Sequence, residues 1–444
     1  MTLISKLRGA AIEALLGTPG DRALAAVADM RRRVAREPAR LDFYYDPADP
    51  ASHLAAQVTQ RLIAAYSVDV ELHIVTPPAS DVDPSPELRA LFAVKDAKDV
   101  ATQVDLEFVG KSTPDPNAVR RAAAILCKPR PLTERLALAI EVGNALFQND
   151  SKAITALGGK HGSESTLEVP AIMNTNYSLL RKRGHYQAAS WYWNGVWYGG
   201  IDRVPYLEAA LAASTGQAAP PVIHTRPEAE RPPARLTLPK DTTTPVLDFW
   251  FSFRSPYSYL ALGRVAELAK RYPIEVRLRP ILPMVTRGLA VPTVKRLYIV
   301  RDAKREADRL GVPFGAVCDP LGKGVENALA IAHHALRGPH GWDFVTAAAR
   351  GAWSEARDLA DYADLRAIVE SAGMTWDEAR AAIADEAWRP WAQQNASDLT
   401  SVGLWGVPSF RIGDYITWGQ DRIDYLEDRL RRHFAAPAAT VPST

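Results

Sequence analysis

The hydrophobic positions along the chain fall into a pattern that occurs twice. Val246 to Phe251 is an apolar, aromatic-rich run of strand length, and from Pro256 to Arg271 the apolar residues recur at helical spacing. Ile274 to Leu278 then alternates, so that Ile274, Val276 and Leu278 share a face and predict a second strand. Such a strand–helix–strand unit implies a right-handed crossover and parallel pairing. From about Val294 to Asp398 the spacing is helical, as in Ala328 to Leu336. Ser409 to Ile412 and Tyr415 to Trp418 then predict two short strands about a Gly413-Asp414 turn, and Ile423 to Phe434 a closing helix.

The same grammar stands earlier in the chain. Leu41 to Ala55 lies on Leu247 to Ala261 without a gap at an offset of 206, which runs on to Pro77 and Pro283. Along it Leu62 meets Leu268, Tyr66 meets Tyr272 and Leu72 meets Leu278. Gly200 to Glu208 then parallels Gly419 to Glu427 at an offset of 219. Matches in order at both ends predict a tandem duplication. Between the copies, Ala213 to Thr244 holds Pro220, Pro221, Pro227, Pro232, Pro233 and Pro239, a density that blocks helix and ladder alike and predicts a linker. The expected organisation is a helical extension over 1–39, a first copy over 40–212, a linker over 213–245 and a second copy over 246–435. In the extension two short amphipathic helices are expected around Thr18-Pro19-Gly20.

Composition narrows the function classes. With 53 basic and 51 acidic residues the net charge is +2, which gives no electrostatic reason to expect nucleic acid. No apolar run approaches the ~20 residues of a membrane helix, so no membrane partner is expected. Lys6, Arg8 and Glu13 interrupt the opening apolar residues where a signal peptide would be continuous, and a cytoplasmic location is expected. Cys127 and Cys318 belong to no Cys-x-x-Cys pair or ligand cluster, and each reads as a buried thiol. Sulfur chemistry would therefore need sulfur brought by a ligand. No metal site stands out among the 9 histidines.

The candidate chemistry lies in the second copy. Ser255-Pro256 stands where strand turns into helix, a capping pair in its plainest reading. The same geometry favours an anion, to which the hydroxyl can donate a charge-assisted hydrogen bond. Gly406-Val407-Pro408-Ser409 precedes the hairpin; a cis Pro408 there would expose the Val407 N–H and C=O to an extended ligand. Gly419-Gln420-Asp421-Arg422 opens the last helix, as a cap or as a hold on a ligand's charged end.

Together with Ser255 to Ala261, Arg279-Pro280, Lys295 to Tyr298, Arg301-Asp302, Leu310 to Phe314, Gly406 to Pro408 and Trp418 to Arg422, these residues make the second copy resemble a known group. It is similar to the 2-hydroxychromene-2-carboxylate isomerases and kappa-class glutathione transferases of the DsbA-like thioredoxin group. The resemblance implies an α/β fold of two tandem thioredoxin-like domains, each with a helical insertion, and glutathione as cofactor. It implies that Ser255 stabilises the glutathione thiolate and that Val407, beside cis Pro408, pairs with the peptide backbone. Gln420 and Asp421 would meet the γ-glutamyl end, and Lys295 would lie near a cofactor or substrate carboxylate. The implied reaction is isomerisation or transfer on a small organic substrate, an aromatic carboxylate in the isomerases. Ser252 stands where the family usually has aspartate, Arg254 is unusual before the serine, and Gly288-Leu289-Ala290 replaces the common Gly-Asn, so a different substrate side is expected.

By the two offsets the first copy has Asp49 for Ser255 and Ala188-Ala189 for Val407-Pro408. Its fold positions persist while its chemical positions are lost, so it reads as degenerate. Its aromatics Trp191 to Trp193, Trp197 and Tyr198 read as core or interface. Two alternatives compete with the enzyme reading: a silent peptide-binding scaffold, and a disulfide oxidoreductase suggested by fold analogy alone. Relatives of this type are often dimers, and either a homodimer or a pseudo-dimer of the two copies is expected.

Overall fold

The computed structural model describes residues 18–36, 39–223, 237–238 and 243–435. They form two compact units, one of residues 20–223 with 291–298 and the other of residues 243–290 with 299–435. Residues 1–17 and 37–38 of the expected 1–39 extension, most of the Pro-rich linker and the residues after 435 lie outside the described residues. Within the extension, Thr18–Ala35 is one helix, and Pro19 stands in its first turn, where a missing N–H costs nothing.

In the first unit β1 (Arg40–Tyr45), a helix (Pro50–Tyr66) and β2 (Asp69–Ile74) make the crossover. Helices from Pro86–Gln103 to Val169–Lys182 follow, then β3 (Ser190–Trp193), β4 (Val196–Gly199) and a helix that persists to Thr215 before Gly216 ends it in the left-handed region. In the second unit β5 (Val246–Phe251), a helix (Pro256–Arg271) and β6 (Glu275–Pro280) come first; six helices span Thr293 to Ser401, and the first of them, Thr293–Leu310, has its opening residues in the 291–298 segment that groups with the first unit. The hairpin of β7 (Ser409–Ile412) and β8 (Tyr415–Trp418) and the helix Ile423–Ala435 complete the second unit.

The two sheets are ordered β2-β1-β3-β4 and β6-β5-β7-β8, each with one parallel pair and two antiparallel pairs. Their registers correspond as well. Phe43 lies opposite Leu72 and Trp191, and Phe249 opposite Leu278 and Phe410, the pairings that the offsets of 206 and 219 require. β6 begins one residue later than expected, because Ile274 N–H turns back to Tyr272 O and Glu275 N–H starts the ladder on Pro245 O.

Each central strand presents one face to the core and a buried aspartate on the other. Leu247, Phe249 and Phe251 are fully buried with Leu260, Val265 and Leu268 of the following helix. On the opposite face Arg279 Nε donates to Asp248 at 2.6 Å and Arg411 Nη2 at 2.6 Å. In the first unit Asp42 is held by His73 Nε2 at 2.7 Å and Arg183 Nη1 at 3.1 Å. The aromatics of β3 and β4 are core: Trp191 stacks on Phe43 and donates to Thr59 Oγ1 at 2.9 Å, and Trp197 packs among Tyr44, Val75 and Leu180. No helix among the described residues is long and apolar enough to cross a membrane.

Candidate functional site

Ser255 caps the helix Pro256–Arg271 from an extended backbone, and Pro256 removes an N–H that the first turn leaves unpaired anyway. Ser258 N–H donates to Ser255 Oγ at 3.1 Å, and Ser255 Oγ in turn lies 3.4 Å from Val407 O, to which it donates. The hydroxyl is therefore half-buried at the positive end of a helix, with its proton on a long, weak bond that an anion can displace.

The Val407–Pro408 peptide is cis. Val407 is half-buried, and its N–H has no protein partner among the described residues, while Gly419 N–H donates to Pro408 O at 2.9 Å. A Cβ on Gly406 would come 2.8 Å from Trp418 Nε1, so the close approach of this segment to β8 requires glycine. Ser255, Val407 and Pro408 are thus together, and the Gly419–Asp421 turn is tied to them through Pro408.

Within that turn the two expected ligand residues differ. Gln420 is buried, and both ends of its amide are spent: Oε1 accepts from Arg264 Nη1 at 2.9 Å and Nε2 donates to Glu306 Oε2 at 2.9 Å. Its amide also donates to Asp421 Oδ1, and Asp421 itself stays half-buried. Lys295 belongs to the segment that groups with the first unit. There its Nζ donates to Val82 O at 2.7 Å and lies 5.6 Å over the Tyr186 ring, and burial pushes its pKa down.

Several contacts around the site escape a reading of the sequence. Arg254 makes a two-point ion pair with Asp319 at 2.8 Å, and Trp353 Nε1 donates to Phe253 O at 2.9 Å; both partners are remote in sequence. Tyr257 donates to Asp302 Oδ2 at 2.7 Å, joining two of the quoted segments. Ser252 is buried, and its Oγ has no partner among the described residues. At the offset of 206 the position of Ser252 corresponds to Asp46 of the first unit, and that correspondence is the signal for it in the sequence.

The first unit builds the same turn with other chemistry. Asp49 caps its helix, accepting from Ala51 N–H and Ser52 N–H at 3.2 Å each. Asp46 accepts from Ala48 N–H at 2.9 Å, and its pKa is pushed up to about 7 by burial first and by Asp49 second. Gly200 N–H donates to Ala189 O at 2.8 Å, as Gly419 does to Pro408, so Ala189 occupies the proline position with φ 53°. The thiols offer no redox pair: Cys127 is buried with its pKa pushed up to about 11, and Cys318 is raised by burial.

The model of the DsbA-like thioredoxin domain matches residues 246–431. A curated relative from Sphingobium xenophagum, named 2-hydroxychromene-2-carboxylate isomerase, is 28% identical over 42% of this chain and 98% of its own length. One of the same name from Pseudomonas putida is 27% identical over 42% of this chain and 95% of its own length. Among solved structures, a 2-hydroxychromene-2-carboxylate isomerase is 24% identical, with a TM-score of 0.38 over 42% of this chain and 95% of that one. Residues 246–431 form a DsbA-like thioredoxin domain of α/β architecture.

Proposed function

We propose that the second unit is a glutathione-dependent isomerase or transferase acting on a small aromatic carboxylate. The observation that carries this reading is the meeting of a helix-capping serine with a peptide segment whose N–H is unclaimed. Ser255 Oγ reaches Val407 O, and the half-buried Val407 N–H has no partner among the described residues. Such a pair suits a small thiol peptide, with the hydroxyl and helix terminus for its sulfur and the Val407 backbone for its own amide groups. The curated relatives named as isomerases support an isomerase-type enzyme.

Glutathione, when bound, supplies a sulfur nucleophile that adds to an electrophilic carbon and is expelled after bond rotation in isomerisation or kept on the product in transfer. The chain's part is to lower the cost of the anion. Ser255 turns its proton from Val407 O towards the sulfur, and the helix dipole adds its partial charge. Asp421 receives the γ-glutamyl ammonium, with Gln420 holding it from behind through Arg264 and Glu306.

We further propose that the two units descend from one duplicated domain, that the first has lost this chemistry, and that the protein works in the cytoplasm, where glutathione keeps thiols reduced. Calorimetric titration with glutathione tests the function. Binding to the wild type is expected to weaken about tenfold in Asp421→Ala and to persist in Asp49→Ala. In Ser255→Ala it is expected to lose its coupled proton release. No binding at millimolar glutathione would defeat the reading and leave a duplicated scaffold.

A further inference from the structure

Arg287 ends a short helical turn, Met284–Arg287, and its side chain reaches the segment that Ser255 reaches. Its Nη2 donates to Trp405 O at 3.1 Å, while its Nε is sealed from solvent and has no partner among the described residues. No carboxylate pairs with it among the described residues, and burial alone holds its pKa below the ordinary arginine range. The other arginines of this region are paired: Arg254 with Asp319, Arg264 with Asp424, Arg279 with Asp248. A half-buried cation without a counter-charge is costly, and such groups are normally paired. Here the remaining terminal nitrogen, Nη1, has no partner among the described residues and is not sealed from solvent.

Three elements converge on the 405–408 segment. Arg287 bonds Trp405 O, Ser255 bonds Val407 O and Gly419 bonds Pro408 O. Trp405 and Val407 are two residues apart, ~7 Å along an extended chain. A small molecule with an electrophile or thiol at Ser255 and a carboxylate at its far end matches that separation.

We propose that Arg287 is the cation that receives a ligand carboxylate at the 405–408 segment. Two carboxylates share this chemistry, the glycyl carboxylate of glutathione and that of the organic substrate. The glutathione alternative rests on the function proposed above; the other does not.

The test is calorimetric titration of the full chain with two matched pairs, glutathione against its glycinamide and benzoate against benzamide. Wild type, Arg287→Gln and Arg287→Lys are compared. In the wild type at least one pair is expected to show a tenfold or greater preference for the carboxylate, and that pair names the source. Arg287→Gln is expected to abolish the preference by weakening the carboxylate alone, and Arg287→Lys to retain part of it, since lysine keeps the charge and loses the fork. The melting temperature of Arg287→Gln is expected to equal or exceed that of the wild type, because an unpaired charge is removed. No preference in either wild-type pair, a preference that survives in Arg287→Gln, or a lowered melting temperature of that variant overturns the proposal. If glutathione does not bind the wild type at all, the proposed function fails, and the benzoate pair still decides the role of Arg287.

Discussion

The turn from β1 into its helix and the turn from β5 into its helix have the same backbone plan and opposite chemistry. In both, the capping residue's N–H returns to the carbonyl three residues earlier, Asp49 to Asp46 at 3.1 Å and Ser255 to Ser252 at 2.9 Å. The first turn places carboxylates at both positions, the second places hydroxyls. A helix N-terminus stabilises either, but only the neutral hydroxyl leaves the partial positive charge for an incoming anion. Opposite this turn the second unit has a cis peptide after the half-buried Val407, where the first has Ala188 and Ala189, both buried. The comparison teaches that capping and pairing demands keep a fold while the groups that would meet a ligand change freely.

The largest effect should come from the feature the units share. Asp248→Ala leaves Arg279 and Arg411 short of their common acceptor, and urea unfolding should show a loss of about 3 kcal/mol; the equivalent Asp42→Ala should cost a similar amount. A loss below about 1 kcal/mol at either position would break the claim that both sheets depend on this clamp. Next, Ser255→Asp copies the first unit's cap into the second. It should weaken thiolate binding on the order of 100-fold through like-charge repulsion while the helix stays capped.

Asp46→Asn sharpens the comparison by pH. The buried Asp46 carboxyl has its pKa raised from 3.8 to about 7, so the folded state holds a proton that the unfolded state releases between those values. Stability contributed this way is complete below about pH 4 and is lost as pH rises to 7. The variant should therefore be more stable than the wild type at pH 8, by about 4 kcal/mol, and equal to it near pH 4. A difference independent of pH would show that Asp46 carries no raised pKa. The smallest effect belongs to Asp49→Ser, which exchanges one good cap for another and should change stability by less than about 0.5 kcal/mol. It should create no glutathione binding, because Ala188 and Ala189 offer no exposed segment; measurable binding would show that the capping residue alone separates the units.

Much of this was legible in the sequence because short-range rules governed it. β5 and its helix begin and end where the periodicity and the Ser255-Pro256 cap place them, and the hairpin follows the Gly413-Asp414 turn. The cis peptide at Pro408 falls in the Gly-Val-Pro-Ser segment singled out for it. What the sequence hid depends on long-range partners. Nothing near Gln420 announces that Arg264 and Glu306 will occupy its amide, nor does anything near Arg254 point to Asp319. Lys295 carries the family pattern, yet its ammonium meets Val82, a partner that no local spacing encodes.

The central claim, that Ser255 stabilises a bound thiolate, is tested most directly by the ultraviolet thiolate absorbance of bound glutathione as a function of pH, in wild type and Ser255→Ala. The account predicts that the wild type lowers the bound thiol's pKa by at least one pH unit below that of free glutathione and that Ser255→Ala removes most of this shift. A thiol that titrates alike when bound to both proteins, or only at its free value in the wild type, would contradict it.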